Sequence, residues 1–318
     1  MIMFAAASVL LAPSRGVAQD ESLDDLEIVV PQRPDGEVVF RPVMELDQEG
    51  SDYNARLRGG QVGRPTDWPA SLFLEYADAQ GRPHPCTSVL IGPEVLLTAA
   101  HCVPASGRIS VQRRDAPTLG GVCASHPRYP ETSGGAGDLS ADFALCRLSQ
   151  PYVLAQGGRY ETVSRRPMSS AVGTENNFIL LTGFGCTSDV IAEAGRGDRL
   201  YRIGYAAVDE TSASTTRLRV RGELYADVQN FNLFTVNDPA FANLCPGDSG
   251  GPAFNLINRD ITSREIIAVN SRVLQSRTRF RGSLLSSTGH DDFRRWALAW
   301  LGPTLTACGL RNGRLACR

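Results

Sequence analysis

The chain has no lysine and little net charge. All 32 basic residues are arginine, and they nearly balance 34 acidic residues, which leaves a formal net charge of −2 at pH 7. From residue 57 onward, the chain has 28 arginines and 23 acidic residues. So dilute a positive excess does not favour a nucleic-acid partner, and none is expected.

Long apolar runs are missing as well. The most apolar stretch, Ile2–Ala12, is too short to span a bilayer, and Gly16-Val17-Ala18 follows it. This is typical of a signal-peptide core with a small-x-Ala cleavage site, although no positive charge precedes it. We expect residues 1–18 to be a signal peptide; the alternative is a buried N-terminal helix. After signal removal we expect no membrane association.

The next segment, residues 19–56, holds eleven acidic side chains against three arginines, contains several prolines and is poor in aromatic residues. Such a composition cannot bury much apolar surface and is typical of a loosely ordered propeptide or linker. We therefore expect an acidic propeptide at 19–56.

Zinc-type cysteine spacing is absent. None of the eight cysteines forms a C-x-x-C pair, and the chain has only four histidines, so we expect neither a metal nor a cofactor. An even number of cysteines fits disulfides in an oxidising compartment, which favours a secreted or periplasmic protein. Eight cysteines allow roughly 105 pairings, so counting alone does not fix them.

Helical runs are also scarce. From about Ser71 the chain contains short β-type runs such as Val95–Thr98 and Ile266–Ser271, separated by breakers rich in glycine, serine and aspartate. This pattern favours an all-β fold of antiparallel barrels or sandwiches over βαβ units. One helix is expected near 290–301, with acidic residues in its first turn and Gly302-Pro303 at its end.

What the chain does contain is the run Cys245-Pro246-Gly247-Asp248-Ser249-Gly250-Gly251-Pro252. Ser249 is a candidate nucleophile, and Asp248 needs a cationic partner if it is buried. The run also satisfies the G-x-S-x-G motif of α/β-hydrolases, whose order would require Asp260 and His290 after the serine. That alternative needs βαβ alternation, which the pattern does not show.

Two further motifs precede the serine: Leu97-Thr98-Ala99-Ala100-His101-Cys102 and Ala141-Asp142-Phe143-Ala144-Leu145. The three motifs, in the order His, Asp, Ser, resemble the catalytic signatures of the chymotrypsin/trypsin family of serine proteases. The resemblance covers roughly residues 57–301. It implies two antiparallel six-stranded Greek-key β-barrels and a C-terminal α-helix. The implied boundaries are a first barrel at about 57–165, a second barrel at about 166–288, a helix at about 290–301 and a cysteine-closed tail at 303–318.

The resemblance also assigns catalytic roles. His101 would take the proton of Ser249, and Asp142 would hold the other ring nitrogen. The N–H groups of Gly247 and Ser249 would form the oxyanion hole. Asp138 is a rival carboxylate, but it sits in a glycine-rich loop rather than before an apolar strand. Any single histidine is more often structural than catalytic, so the argument rests on all three motifs together.

Activation and specificity follow from the same resemblance. Cleavage after Arg56 would free the α-ammonium of Leu57 to pair with Asp248. Ser271 would hydrogen-bond Asp142 and border the primary specificity pocket, with Asn243 at its base. A neutral amide at the base argues against tryptic cleavage and for an uncharged, small or medium residue. The remaining pocket expectations are Val273 at the mouth and Gly282 in the rear wall.

The expected disulfides are Cys86–Cys102, which would brace the histidine loop, and Cys186–Cys245, Cys123–Cys146 and Cys308–Cys317. Cys102 could otherwise be a free thiol. Together these expectations describe a monomeric, secreted serine endopeptidase that is activated by another protease and acts on polypeptides. A catalytically weak or inactive binding protein of the same fold is the alternative.

Overall fold

The structure is a computed structural model that describes most of the chain from residue 27 onward. The described residues are 27–28, 32–42, 60–77, 83–113, 116–130, 137–155, 157–166, 178–186, 188, 200–208, 218–220, 223–225, 232–235, 241–256, 260–275, 277, 280–311 and 317. The expected signal peptide at 1–18 and the expected cleavage site at Arg56 and Leu57 lie outside them.

The described residues form seventeen strands and one α-helix. In chain order the strands are β1 (Glu27–Ile28), β2 (Val38–Pro42), β3 (Gln61–Val62), β4 (Ser71–Ala77), β5 (Pro83–Gly92), β6 (Val95–Thr98), β7 (Arg108–Val111), β8 (Leu119–Ser125), β9 (Ala144–Leu148), β10 (Phe178–Gly183), β11 (Arg202–Ala207), β12 (Leu218–Val220), β13 (Glu223–Tyr225), β14 (Asn232–Phe234), β15 (Pro252–Leu256), β16 (Arg264–Gln275) and β17 (Phe280–Ser287), followed by helix α1 (Asp291–Leu301).

The first half of the chain closes into a barrel with the strand order β2-β4-β5-β6-β9-β8-β7. Its interior is apolar: Leu72, Leu74, Leu96 and Leu145 are fully buried. Strand β6 ends at the motif that carries His101, and β9 begins just after Asp142. The barrel therefore brings two of the three catalytic motifs to adjacent strand ends.

Strand β2 comes from the acidic segment 19–56 and is part of this barrel. It pairs antiparallel with β4 and parallel with β7. Its residues alternate, with Val38, Phe40 and Pro42 buried and Val39 and Arg41 exposed. This alternation suits a strand with one face in the core. Part of the acidic segment is thus an ordered barrel strand.

The second half forms an eight-stranded sheet in the order β14-β17-β16-β15-β10-β11-β3, with β1 added on β16. The twelve-residue β16 is its longest strand. Strand β15 pairs with β16 over residues 264–269, while β17 follows β16 through to Gln275. The C-terminal half of β16 therefore has one edge that β15 leaves open.

Aromatic packing joins the two halves. Trp68 is buried, with its ring centroid 5.5 Å from that of Tyr201 and 5.6 Å from that of Phe254. The Arg264 guanidinium lies 3.7 Å from the Trp68 ring centroid and is paired with the buried carboxylate of Glu161. A buried charge of this kind is stable only when it is paired.

Helix α1 packs against the first barrel close to the aspartate motif. The ring centroids of Phe293 and Phe143 are 4.6 Å apart, and the side chain of His290 caps the helix by accepting a hydrogen bond from the Asp292 N–H. Packing on Phe143 holds the backbone beside Asp142. Among the described residues, no helix has the length and apolar character needed to cross a membrane.

Four disulfides close the cysteine set: Cys86–Cys102, Cys123–Cys146, Cys186–Cys245 and Cys308–Cys317. No cysteine is free, so Cys102 is not a thiol.

The predicted chymotrypsin-like fold is confirmed: a closed barrel in which every pair except β2–β7 is antiparallel, a second sheet and a C-terminal helix. The first barrel has seven strands rather than six because β2 inserts between β4 and β7. The α/β-hydrolase alternative is wrong, because the strands of the second sheet pair antiparallel and no α-helix lies between the strands of the described chain.

Candidate active site

Three different elements carry the predicted catalytic residues. His101 lies in a short 3-10 turn, Ala100–Cys102, that follows β6 and is tied to β5 by the Cys86–Cys102 disulfide. Asp142 immediately precedes β9, and Ser249 lies in the loop before β15. His101 and Asp142 are buried, while Ser249 is half-buried. This placement brings the three motifs to one cleft.

The side chains of His101 and Asp142 are directly hydrogen-bonded. The Nδ1 of His101 lies 2.7 Å from Asp142 Oδ2, and the backbone N–H of His101 donates to Asp142 Oδ1 at 3.0 Å. Ser271 Oγ also donates to Oδ2, at 2.6 Å. Burial alone would raise the pKa of Asp142, but the His101 and Ser271 contacts and the nearby Arg272 charge hold it below its usual value. Asp142 is therefore set up as an anion that orients the imidazole.

Ser249 and His101 face the same cleft, which has a volume of about 320 Å³. Ser249 Oγ donates to the carbonyl oxygen of Ser271 at 3.4 Å, and His101 Nε2 has no hydrogen-bond partner among the described residues. The hydrogen bond between nucleophile and base is thus not formed in this arrangement. Such bonds are commonly long or absent without substrate and tighten when it binds.

The loop before Ser249 is shaped by glycine. Gly247 has φ of +108° and Gly250 has φ of +81°, conformations that other residues rarely adopt. A Cβ on Gly250 would lie 2.2 Å from both Thr87 O and Thr98 Oγ1, so a side chain has no space there. Among the described residues, the N–H groups of Gly247 and Ser249 donate no hydrogen bond. Both groups remain available for an oxyanion.

Asp248 points away from the cleft into the protein. It is fully buried and accepts hydrogen bonds from the Gly185 N–H at 2.8 Å and the Cys245 N–H at 2.9 Å. Burial raises the pKa of Asp248 to about 7, although these two hydrogen bonds and the Arg202 charge act to lower it. The Cys186–Cys245 disulfide holds the same loop. The loop therefore contains a carboxyl group that a further cation would stabilise.

The predicted specificity residues divide into two pairs. Ser271 and Val273 line the cleft, whereas Asn243 and Gly282, both described, are not part of its lining. Asn243 is buried, with its Oδ1 accepting from Thr235 Oγ1 at 3.0 Å and its Nδ2 without a hydrogen-bond partner in the described part of the chain. A Cβ on Gly282 would lie 3.3 Å from Leu274 Cδ1, so Leu274 occupies the space beside it.

Several cleft residues were not anticipated from the sequence, among them Arg272 and Gln32. Arg272 lies against the catalytic groups, with its Nε donating to Ser271 Oγ at 3.2 Å. Its position next to Ser271 was the available signal. Gln32, from the acidic segment, lines the cleft together with His101 and Ser249. Nothing in the sequence near Gln32 links it to the catalytic motifs.

The rival groups have structural roles. Asp138 pairs with Arg128 at 3.0 Å and accepts from Ser140 Oγ at 2.5 Å, in the loop before Asp142. Asp260 is exposed and accepts hydrogen bonds within its own turn, while His290 caps α1. Neither Asp260 nor His290 lines the cleft.

Cys86, His101 and Cys102 place a nitrogen and two sulfurs close together. Both sulfurs belong to one disulfide, so they cannot act as thiolate ligands, and this cluster is not suited to a metal.

The fold and the motifs agree with comparisons to known proteins. The trypsin family model matches residues 57–287. The chain is similar to chymotrypsin-like elastase family member 1 from cat (Felis catus), with 27% identity over 220 residues that cover 65% of this chain and 76% of the relative. The dog (Canis lupus familiaris) protein is 25% identical over 68% of this chain and 81% of its own. The human (Homo sapiens) protein is 26% identical over 66% and 80%. The chain belongs to the trypsin family of serine proteases.

Proposed function

We propose that the chain is a secreted serine endopeptidase in which Ser249, His101 and Asp142 form the catalytic triad. One observation carries this proposal: a buried, hydrogen-bonded His101–Asp142 pair opens onto the same cleft as Ser249. In such a pair the imidazole can act as the general base for a serine hydroxyl while the carboxylate orients it.

In the first step, Ser249 Oγ attacks the carbonyl carbon of the scissile peptide bond while its proton passes to His101 Nε2. The resulting oxyanion accepts hydrogen bonds from the N–H groups of Gly247 and Ser249. The imidazolium then gives the proton to the leaving amine, the C–N bond breaks, and an ester to Ser249 remains. Water hydrolyses this ester by the same proton route. Asp142 holds the imidazole and stabilises its cation throughout.

Activation follows from the environment of Asp248. Cleavage after Arg56 would create an α-ammonium at Leu57, and pairing with that cation would stabilise the buried Asp248 carboxylate. Asp248 directly precedes Ser249 and follows Gly247, so its position controls both oxyanion donors. The protein is therefore proposed to be a zymogen. Since Asn243 is not expected to support tryptic cleavage, another protease would cut after Arg56.

Two independent features support secretion, one from the structure and one from the sequence. Four disulfides are formed, and such bonds persist in oxidising compartments. The apolar stretch Ile2–Ala12 has the length of a signal-peptide core. Whether the destination is the periplasm or the medium does not affect the chemistry.

The direct test of the proposed function is labelling by a fluorescent fluorophosphonate, which reacts with activated serine hydroxyls. We expect the chain cleaved after Arg56 to be labelled on Ser249, and Ser249→Ala to remain unlabelled. Ser286→Ala, which changes another buried serine outside the cleft, is the matched control and should be labelled like the parent. An unlabelled, correctly folded parent would favour the non-catalytic binding protein instead.

The primary specificity is proposed to be for small or medium uncharged residues. No carboxylate is present at Asn243 to pair with a substrate arginine or lysine. Val273 lines the cleft and is 6% exposed, so its two methyl groups restrict the space for a substrate side chain. The chain's similarity to proteins named elastases is in keeping with this preference.

Replacing Val273 with glycine should widen the specificity. We expect the ratio of kcat/KM for a phenylalanyl substrate to that for an alanyl substrate to rise about tenfold, because removing the isopropyl side chain relieves a contact worth roughly 1–3 kcal/mol. The measurement uses two tetrapeptide anilides that differ only in the residue before the cleaved bond. A parent enzyme that prefers arginine or lysine would contradict the assignment of Asn243.

A further inference from the structure

The N-terminal segment is built into the protease at two places. Strand β2 occupies the slot between β4 and β7, and it pairs with Leu72–Leu74 of β4 and with Ile109–Val111 of β7. Val38 and Phe40 are 1% and 0% exposed and belong to the main core. Removing β2 would expose two buried side chains and leave two strand edges unpaired, so this segment should not leave readily.

Arg33 attaches the residues just before β2 to the catalytic barrel. Its Nε donates to the carbonyl oxygen of Val103 at 3.0 Å, and its Nη2 donates to Pro104 O at 3.3 Å and to Ser125 Oγ at 3.0 Å. Val103 and Pro104 directly follow the turn that carries His101. The anchor therefore lies at the edge of the catalytic machinery.

Two described parts of the chain that precede Arg33 contact the protease: Gln32 at the cleft and β1 at the second sheet. The carbonyl oxygen of Gln32 accepts a hydrogen bond from Tyr76 Oη at 2.7 Å, and Gln32 lines the cleft beside His101 and Ser249. Strand β1 pairs antiparallel with β16, with Glu27 opposite Gln275 and Ile28 opposite Leu274. The pairing lies on the half of β16 that β15 leaves open.

This open edge is where an extended peptide substrate would add a strand. Ser249 Oγ donates a hydrogen bond to the carbonyl oxygen of Ser271, which lies on the same half of β16. A peptide paired with Ser271–Val273 would therefore lie next to the hydroxyl of Ser249. Strand β1 pairs with the next two residues of that half. A longer substrate and the chain's own N-terminal segment would therefore compete for one edge.

We propose that residues 27–42 remain with the protease after cleavage after Arg56 and act as a built-in competitive inhibitor. Strand β2 and Arg33 supply the anchor, β1 pairs with the peptide-binding edge at Leu274 and Gln275, and Gln32 lines the cleft. Retention would be non-covalent, because no cysteine precedes Cys86. The inference rests on the proposed function and adds a second level of control to it.

Retention is tested on the full chain after a trypsin-like protease has cut it after Arg56. On native size exclusion the N-terminal fragment should elute with the protease domain, and it should separate only under denaturing conditions. Phe40→Ala, which removes a fully buried side chain of β2, should lower retention. Should that variant fail to fold, Arg33→Ala removes three hydrogen bonds without changing the core. Free elution of the parent fragment would overturn the anchor.

Inhibition is tested with the double variant E27P/I28P, since proline has no N–H and disfavours strand pairing. After cleavage after Arg56, KM for a tetrapeptide substrate should fall about tenfold with kcat unchanged, the effect of losing one or two hydrogen bonds. A single-residue ester, which does not need the edge, should be hydrolysed equally by parent and variant. S22P/L23P carries the same prolines upstream and should match the parent. Equal tetrapeptide KM values would overturn the inhibition.

An inactive parent would contradict the proposed function and would still leave this inference testable. Hydrogen exchange does not require catalysis, and one of the two consecutive amides of Leu274 and Gln275 directs its N–H toward β1, because antiparallel pairs alternate between hydrogen-bonded and non-hydrogen-bonded positions. Exchange of that amide should be faster in E27P/I28P than in S22P/L23P. The same exchange rates in both variants would mean that β1 does not protect the edge.

Discussion

Replacing Ser249 with alanine is expected to lower kcat/KM for a peptide substrate about 10⁴-fold or more. The change removes the proposed nucleophile, and the remaining rate would come from substrate binding and the oxyanion donors. The measurement is steady-state hydrolysis of a tetrapeptide anilide by the chain cleaved after Arg56. Ser286→Ala should keep the parent's rate. Residual activity above a tenth of the parent's would contradict the assignment of Ser249.

The same experiment with His101→Ala and with the double variant separates a catalytic unit from independent contacts. Because Ser249 and His101 act in one proton transfer, the double variant should be about as active as either single variant. Independent contributions would instead multiply, and the double variant would be slower by the product of the two single effects. Non-additivity therefore tests the proton transfer itself, which the hydrogen-bond pattern without substrate does not.

The candidate catalytic residues could be singled out from the sequence because their motifs are local. His101 and Asp142 each sit beside a strand whose apolar run is visible in the sequence, and Ser249 lies among glycines that its loop requires. Each motif depends on neighbours within a few residues. Periodicity and composition do not predict that these residues meet in one cleft; that expectation rested on the resemblance of the three ordered motifs to the chymotrypsin/trypsin family.

The role of the N-terminal segment could not be predicted, because the signal is short and the contacts are distant. Only Val38, Phe40 and Pro42 alternate with exposed residues, and the acidic composition around them is typical of disorder. Their partners in β4 and β7 lie thirty or more residues away. A five-residue strand gains its stability from long-range pairing and burial, which composition does not record.

The positions of Arg272 and Leu274 show a second reason why parts of the site could not be predicted from the sequence. Both belong to β16, and the register of this strand decides which side chains meet the cleft. A β-bulge lies between Asn270 and Arg272, where the pairing with β17 shifts. Such a shift changes which residues face each side of a sheet. Arg272 thus reaches Ser271 and the cleft, while Leu274 fills the space beside Gly282.

Replacing Asp248 with asparagine should prevent activation without preventing cleavage. Asparagine keeps the size of the side chain but has no charge to pair with the Leu57 α-ammonium, so the oxyanion loop would stay in its uncleaved arrangement. Losing oxyanion donors typically costs about 10²–10³ in rate, and we expect kcat of the cleaved variant to fall by that factor. Asp260→Asn, which neutralises an exposed carboxylate in a surface turn, is the matched control and should activate normally. Full activity of the Asp248→Asn variant would refute the ion pair.

The raised pKa of Asp248 also predicts how the free energy of unfolding depends on pH, which gives a second test of the proposed activation. In the uncleaved chain this pKa is about 7, above the ordinary value of 3.8, so the folded state holds a proton that the unfolded state has released between these values. The free energy of unfolding should therefore fall as pH rises from about 4 to 7, and change no further above that range from this group. The measurement is urea denaturation of the uncleaved Ser249→Ala chain at pH 5 and pH 8. Its free energy of unfolding should fall more between these two pH values than that of the same chain carrying Asp248→Asn as well. Once the chain has been cleaved after Arg56, pairing with the Leu57 ammonium should lower the pKa of Asp248. The difference in pH dependence between the chains with and without Asp248→Asn should then disappear or reverse. A pH dependence unchanged by either the substitution or the cleavage would mean that Asp248 does not control the switch.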